Sequence, residues 1–254
     1  MDCNELLNVA GYAGKILLES GAEVYRCEET MVKIAQSFDV DEVQAFVMTT
    51  GIMLSITHDQ QNYTKILRIQ KRGVDLHKID SINELSRTIK TKQYKIGDVM
   101  ELLKQLDQEP RYSLFVTLFF SALSAFGFAL FFQGNLLDAF CAFIVGFCIK
   151  LTAVGMERNN VNAFFQNAIA AGVGAFITLL CVQLSACNSM DTVMISGMML
   201  LVPGLAITNA IRDTVAGDYV SGLSRGAEAF LTAIAIAVGI GAVLAIWMNV
   251  TGGI

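Results

Sequence analysis

The first 111 residues of this chain carry 31 charged side chains, and the remaining 143 carry only 10. That asymmetry limits the fold more than any motif does. Soluble domains hold about a quarter charged residues, and the second block falls far below that because it has too little polar surface to face water. The first block has ordinary soluble composition. A single soluble domain is therefore excluded. The expectation is an α-helical membrane protein with five transmembrane helices, preceded by a small cytosolic α+β domain. The boundary places residues 1–110 in the soluble domain and 111–254 in the membrane domain.

Five stretches of the second block are long enough to cross about 30 Å of hydrocarbon as helices. They are residues 112–132, 136–155, 161–184, 192–211 and 229–250. The second carries Asp138 near one end and Lys150 near the other. Lysine and arginine then set the direction. Fourteen precede the first span, and Lys150, Arg158, Arg212 and Arg225 fall at alternate turns, while 133–135, 185–191 and 251–254 have none. The positive-inside rule gives a cytoplasmic N-terminus and a C-terminus on the opposite side of the membrane. Asp2 and Glu5 occupy the place of a basic signal-peptide start, so no secretory signal is expected. Small residues recur every four positions at Ala163, Asn167, Ala171 and Ala175, and again at Ala229, Ala233, Ala237, Gly241 and Ala245. Such stripes suit close helix packing, within the chain or against another.

In the soluble segment, helical spacing of apolar residues predicts helices over 4–20 and 23–37, broken at Gly21. Three β-branched or aromatic runs, 43–49, 52–57 and 63–69, predict a small antiparallel sheet. Helical pattern returns over 75–90 and 96–106, and Pro110 ends the run before the first span.

Several chemistries find little support. A net charge of −5 and no basic, aromatic-interleaved patch argue against nucleic-acid binding. The six cysteines show no paired metal spacing and four lie in or beside apolar segments, so no structural disulfide or metal site is expected, and with no glycine-rich phosphate loop no cofactor is expected either. Gly222 to Gly226 matches G-x-S-x-G, but His58 and His77 both precede it, so the catalytic order is missing.

The informative stretch is 202–230. Pro203 removes a backbone donor within the fourth span and is followed by Gly204, so the helix must kink or break there. Freed backbone at membrane depth is tolerated where it is buried in protein or lines a polar cavity. Thr208 and Asn209 follow as polar contacts. Then come Arg212, Asp213, Asp218, Ser221, Arg225 and Glu228 at the ends of two otherwise charge-free spans. Charges there are costly unless paired or hydrated, so they are candidates for a substrate and proton pathway, with a solvated loop as the alternative. Arginines 212 and 225 would attract a carboxylate, and Asp213, Asp218 or Glu228 would carry a proton. Glycines 217, 222 and 226 suggest a tight loop between the spans.

Three stretches resemble the threonine/serine exporter family. Ser20-Gly21-Ala22-Glu23-Val24-Tyr25-Arg26-Cys27-Glu28-Glu29 is similar to the family's G-A-E-x-x-R-x-E-E segment. Thr64-Lys65-Ile66-Leu67-Arg68 resembles its T-R-x-x-R signature, with Lys65 where arginine is usual. Pro203-Gly204 through Arg212-Asp213, Gly217-Asp218, Ser221-Gly222, Arg225 and Glu228 resembles P-G…R-D…G-D-x-x-S-G-x-x-R-x-x-E. The resemblance adds Arg26, Glu28, Glu29 and Arg68 as motif residues of the cytosolic domain. It implies export of a small polar metabolite driven by the proton motive force. Family members of full length have ten spans in two halves, so a five-span chain resembles the larger subunit of a split exporter. The expected partners are membrane lipid and a smaller subunit with about five further spans, with a homo-oligomer as the other source of a second half. Split members are associated with succinate as well as amino-acid export. A membrane-anchored enzyme, or a sensor or scaffold using the cytosolic domain, are the rival functions.

Overall fold

The computed structural model describes residues 2–70, 73–109 and 112–252. Pro110, expected to end the soluble run, and Arg111 at the boundary lie outside the described residues. The elements in order are α1 (Cys3–Glu19), α2 (Val24–Gln36), β1 (Glu42–Met48), β2 (Gly51–His58), β3 (Gln61–Arg68), α3 (Leu76–Lys92), α4 (Ile96–Gln108), α5 (Leu114–Phe131), α6 (Leu136–Arg158), α7 (Ala163–Gln183), α8 (Met190–Met198), α9 (Gly204–Ala216) and α10 (Tyr219–Thr251). They form two compact units, Met1–Pro110 with Leu205–Ala227, and Arg111–Gly204 with Glu228–Ile254. Residues 205–227 therefore group with the charged first block, although they follow the composition break by almost a hundred positions.

In the first unit the three strands make one antiparallel sheet in the order β1-β2-β3. Its β2–β3 register pairs Ile56 with Tyr63 and His58 with Gln61. Asp59 and Gln60 close that hairpin with φ of 49° and 59°, the paired positive values of a type I′ turn, whose twist suits adjacent strands. One face of the sheet, through Val47, Ile52, Leu54 and Ile56, joins a core with Leu6, Leu17, Met31 and Ile34 of α1 and α2. Alternation along the strands thus puts a single apolar face inward. Asp2 caps α1 by accepting from the Asn4 and Glu5 amides, and Asp75 caps α3. Asp107 on α4 ties two other helices together. It accepts the Tyr12 hydroxyl at 2.7 Å and pairs with Lys78 Nζ at 3.0 Å.

In the second unit, α5, α6 and α7, together with α10, are long and apolar enough to cross a membrane. The fourth expected span, 192–211, is not one helix. It is α8 and α9, separated by residues 199–203, because Pro203 cannot continue the amide ladder. The core of this unit is built from small residues, among them Ala125, Ala142, Ala171 and Ala175. The expected stripe on the third span therefore turns partly inward. The stripe on the fifth differs, since Ala233, Ala237, Gly241 and Ala245 are exposed. Closest approach falls elsewhere, at Gly239, where an added Cβ would stand 2.0 Å from the Ala168 carbonyl oxygen.

Candidate functional site

The charged residues of 202–230 were expected in a tight loop, but most of them lie in helix. Helix α9 runs to Ala216 and α10 starts at Tyr219, with Gly222 and Gly226 inside α10. Only Gly217 sits in the turn, with φ of +98°, a left-handed value that glycine adopts without a Cβ clash. The Asp218 amide donates back to the Asp213 carbonyl at 2.8 Å and closes the bend.

Helix α9 buries its polar Asn209 and Asp213 and exposes its large apolar side chains, with Thr208 and Arg212 exposed beside them. Its buried residues are Asn209, Ala210 and Asp213, with Asn209 4% and Asp213 0% exposed, while Ile207, Ile211 and Val215 are 44%, 60% and 83% exposed. A water-facing helix has the opposite arrangement. Buried side chains at this depth must find polar partners, since an unpaired polar group away from water costs several kcal/mol, on the order of 2–7.

The partners come from the bend between α1 and α2. Asn209 Nδ2 donates to Gly21 O at 2.8 Å, and Arg225 Nη2 donates to Ala22 O at 2.7 Å. The Val24 amide donates to Asp213 Oδ1 at 3.2 Å. Glu23 is the N-cap of α2 and makes no side-chain cap bond, so Asp213 supplies from elsewhere the carboxylate that a helix N-terminus favours. Glu23 faces the arginines instead. Its Oε1 lies 2.5 Å from Arg212 Nη1, and its Oε2 3.2 Å from Arg26 Nε. Arg225 Nε and Asp213 Oδ2 form a buried ion pair at 2.9 Å. The N–H is not aimed along that line, so both atoms lack a hydrogen-bond partner. Such a pair is held by charge alone on this edge.

Four carboxylates (Glu23, Glu28, Asp213, Asp218) and three guanidiniums (Arg26, Arg212, Arg225) thus gather around one helix bend. Their environments push the acids in different directions. Burial would raise the Glu23 carboxyl, but its own backbone N–H and then Arg212 and Arg26 outweigh it and hold Glu23 below the usual carboxylate range. Burial raises Glu28, aided by the charge of Asp218 and opposed by the Val47 amide, which donates to Glu28 Oε1 at 2.8 Å. Pairs of acids pushed apart in this way can divide proton-holding from charge-holding roles.

Not every expected residue joins the cluster. Ser221 is buried on α10, and nearby Ser224 Oγ accepts from Thr49 Oγ1 at 3.1 Å. Thr208 is exposed on α9. Pro203, Gly204 and Glu228 belong to the second unit. Glu29 is exposed beside an open groove of about 800 Å³ between α2 and β1, also lined by Tyr25, Glu28 and Lys33. Arg68 is exposed at the end of β3, opposite Gly51. Glu23 and the Gly21 and Ala22 carbonyls are the members missed as site residues. The available signal was their position in the same short stretch as Arg26 and Glu28. Among the described residues, no group of three or more His, Cys, Asp or Glu is arranged to hold a metal ion.

Residues 8–247 match the family model described as "Putative threonine/serine exporter". Two similar proteins are named "Probable succinate transporter subunit YjjP". The one from Klebsiella aerogenes is 24% identical, with 91% of this chain aligned to 90% of the relative. The one from Escherichia coli is also 24% identical, over 92% of this chain and 91% of the relative. The "Threonine/serine exporter" of Corynebacterium glutamicum is 21% identical over 93% of this chain but only 50% of its own length. These names describe transporters, not enzymes. No solved structure matches the chain. The chain belongs to the threonine/serine exporter family.

Proposed function

We propose that this member of the threonine/serine exporter family is the larger subunit of a two-component secondary exporter in a bacterial inner membrane. The cargo is a small carboxylate-bearing metabolite, threonine or serine or a dicarboxylate such as succinate, and the proton motive force drives it outward. Five membrane crossings are proposed, the broken pair α8 and α9 making the fourth, with the N-terminus cytoplasmic and the C-terminus periplasmic. The soluble domain of residues 1–110 lies in the cytoplasm. A smaller membrane subunit supplies the second half that alternating access requires. The subunit names of the two similar proteins support that partner, and so does the exposed small-residue stripe of α10.

The observation that carries the reading is the buried Asp213–Arg225 pair. A cargo carboxylate reaching Arg225 would have to displace Asp213, its ion-pair partner at 2.9 Å. The freed guanidinium would then accept a substrate carboxylate in the bidentate geometry arginine favours. Proton and cargo would then occupy the site in turn: Asp213 takes a proton only after the cargo has left, the order that outward transport against an inward proton flow requires. Arg212 is more exposed and adds attraction from the rim. Asp218 and Ser221 extend the proposed path, with Glu28 beside Asp218, and Glu228 is a further proposed proton carrier. The break at Pro203-Gly204, with Thr208, gives the path a hinge at membrane depth.

The outward apolar face of α9 supports a site at the membrane surface, because polar-inside and apolar-outside is what lipid contact selects. The test uses everted vesicles containing this chain with and without the partner subunit, and labelled succinate, threonine and serine. Uptake of one cargo class is expected only with the partner and only under an imposed pH gradient. Uptake indifferent to the gradient overturns the coupling. No uptake of any of the three with the partner present overturns the exporter reading for these cargoes.

A further inference from the structure

Three of the six cysteines meet at one end of the second unit, away from the charged cluster. Cys141 lies one turn after Asp138 on α6, and its thiol donates to the Ala186 carbonyl at 3.3 Å. Ala186 immediately precedes Cys187, and Cys181, near the end of α7, and Cys187, in the following loop, pack with Cys141 in one apolar cluster. This apposition is built in by other contacts. Asp138, almost wholly buried, accepts the Asn188 amide at 2.7 Å and the Ser189 amide at 3.0 Å. Its other oxygen accepts the Asn135 amide at 3.2 Å, so the carboxylate also completes the cap of α6. On the other side of Cys187, the Ala186 amide returns to the Cys181 carbonyl at 2.8 Å. Both neighbours of Cys187 are therefore pinned, and one of them, Ala186, sits directly against the Cys141 thiol. The three thiols do not make a metal site, since no such cluster occurs among the described residues. Buried Cys141 and Cys181 contrast with half-buried Cys187, which alone of the three can be reached from the loop side.

We propose that Cys141 and Cys187 form a disulfide when the protein resides in its membrane. The inference rests on the proposed orientation, which puts the loop of residues 184–189 in the oxidising periplasm, where disulfides form and persist. The oxidant is a protein disulfide of the thiol–disulfide oxidoreductase class. The Cys187 thiolate attacks one sulfur of that disulfide, forming a mixed disulfide and releasing one oxidant thiolate. The Cys141 thiolate then attacks Cys187 Sγ and displaces the second. The two protons lost by Cys141 and Cys187 end on the two oxidant thiols, so the oxidant is reduced by two electrons and the cysteine pair is oxidised by two. Cys181 stays reduced. The bond would join α6 covalently to the loop that Asp138 already clamps, fixing the α7–α8 connection at the outer surface.

The experiment uses the full chain in cells. Free thiols are trapped, and peptides are mapped by mass without reduction. A membrane-impermeant maleimide is applied before and after reductant, and a separate C-terminal reporter reads the orientation. The expected result is a 141–187 peptide pair lighter by two hydrogen atoms, with Cys187 labelled only after reduction. C181S should behave as wild type, and C141S should expose Cys187 to label without reductant. A periplasmic reporter with Cys187 free in the unreduced wild type overturns the disulfide alone, as does a 141–181 linkage. A cytoplasmic reporter overturns the orientation and the disulfide with it.

Discussion

Replacing Arg225 with alanine should release the α9–α10 hairpin from the bend between α1 and α2, and the size of the effect follows from what the guanidinium touches. The substitution removes the Nη2 bond to Ala22 O and strips the buried Asp213 of its only ion-pair partner among the described residues. Removing one member of a buried pair costs roughly 3–5 kcal/mol, because the other charge is left in a poor solvent for it. Each 1.4 kcal/mol is about tenfold in population, so local opening should rise from about a hundredfold to several thousandfold. The whole first unit need not unfold, since domains are stable by about 5–15 kcal/mol. The readout is hydrogen exchange at the Val24 amide, which is bonded to Asp213 and reports whether the carboxylate is still docked. Its protection should fall by that factor in R225A. A second variant separates architecture from transport. Joint replacement Asp213→Leu with Arg225→Met removes both charges, and burying matched apolar groups in place of an ion pair is often neutral or stabilising. Protection of the hairpin as a whole should then recover while vesicle uptake stays abolished. Wild-type uptake by the double variant would refute the proposed exchange of partners at Arg225 and leave the pair as a latch. Unchanged Val24 protection in R225A would refute the latch as well.

Two further outcomes are expected. Gly239→Ala should destabilise the packing of α7 on α10 by about 1–3 kcal/mol, because the new Cβ meets a backbone oxygen that cannot swing aside, whereas Gly241→Ala, with open space at its Cβ, should leave the melting temperature in detergent unchanged. For Glu28, whose carboxyl is raised above its ordinary 4.5 by burial, the folded state holds the proton more tightly than the unfolded chain. Its contribution to stability is full below 4.5 and is lost as pH rises through the raised folded value, so Glu28→Gln should flatten that part of a pH–stability profile; an unaltered profile would count against the carboxyl's burial. Glu23 has the opposite sign, its contribution present above 4.5 and lost as pH falls through the lowered value.

Local chemistry made most of the fold legible before any coordinates. Every helix and strand of residues 3–108 falls within a few positions of its expected place, because side-chain periods of 3.6 and 2 are written in neighbouring residues. Pro203 announced its break for the same reason, since a missing amide donor is a property of one residue. The charged cluster was legible only in part. Asn209, Arg212, Asp213 and Arg225 were identifiable as costly groups near the membrane, but their partners lie 188 to 203 positions away at Gly21, Ala22, Glu23 and Val24. Nothing local specifies such pairings; tertiary packing decides them.

Averaging explains what was misread between residues 192 and 228. A hydropathy window sums residues without asking which face they occupy, so Ile207 and Ile211 count towards the broken fourth span of residues 192–211, while Val215 falls just past it. The structure separates those three from Asn209 and Asp213 by half a turn and buries the polar pair. The same blindness hid Glu23, whose carboxylate looks like a solvated N-cap until Arg212 and Arg26 are brought against it. A helix with Asn209 and Asp213 inward and its isoleucines outward has no stable place in water, and the Asp213 carboxylate has none in lipid unless a second surface meets it. Here that surface is the backbone of an α1–α2 bend that exposes two carbonyls and one amide at the right spacing. The soluble segment is thus more than an appendage, because α9 could not bury Asp213 without it. Any movement that exposes Arg225 to cargo must also disturb the N-terminus of α2.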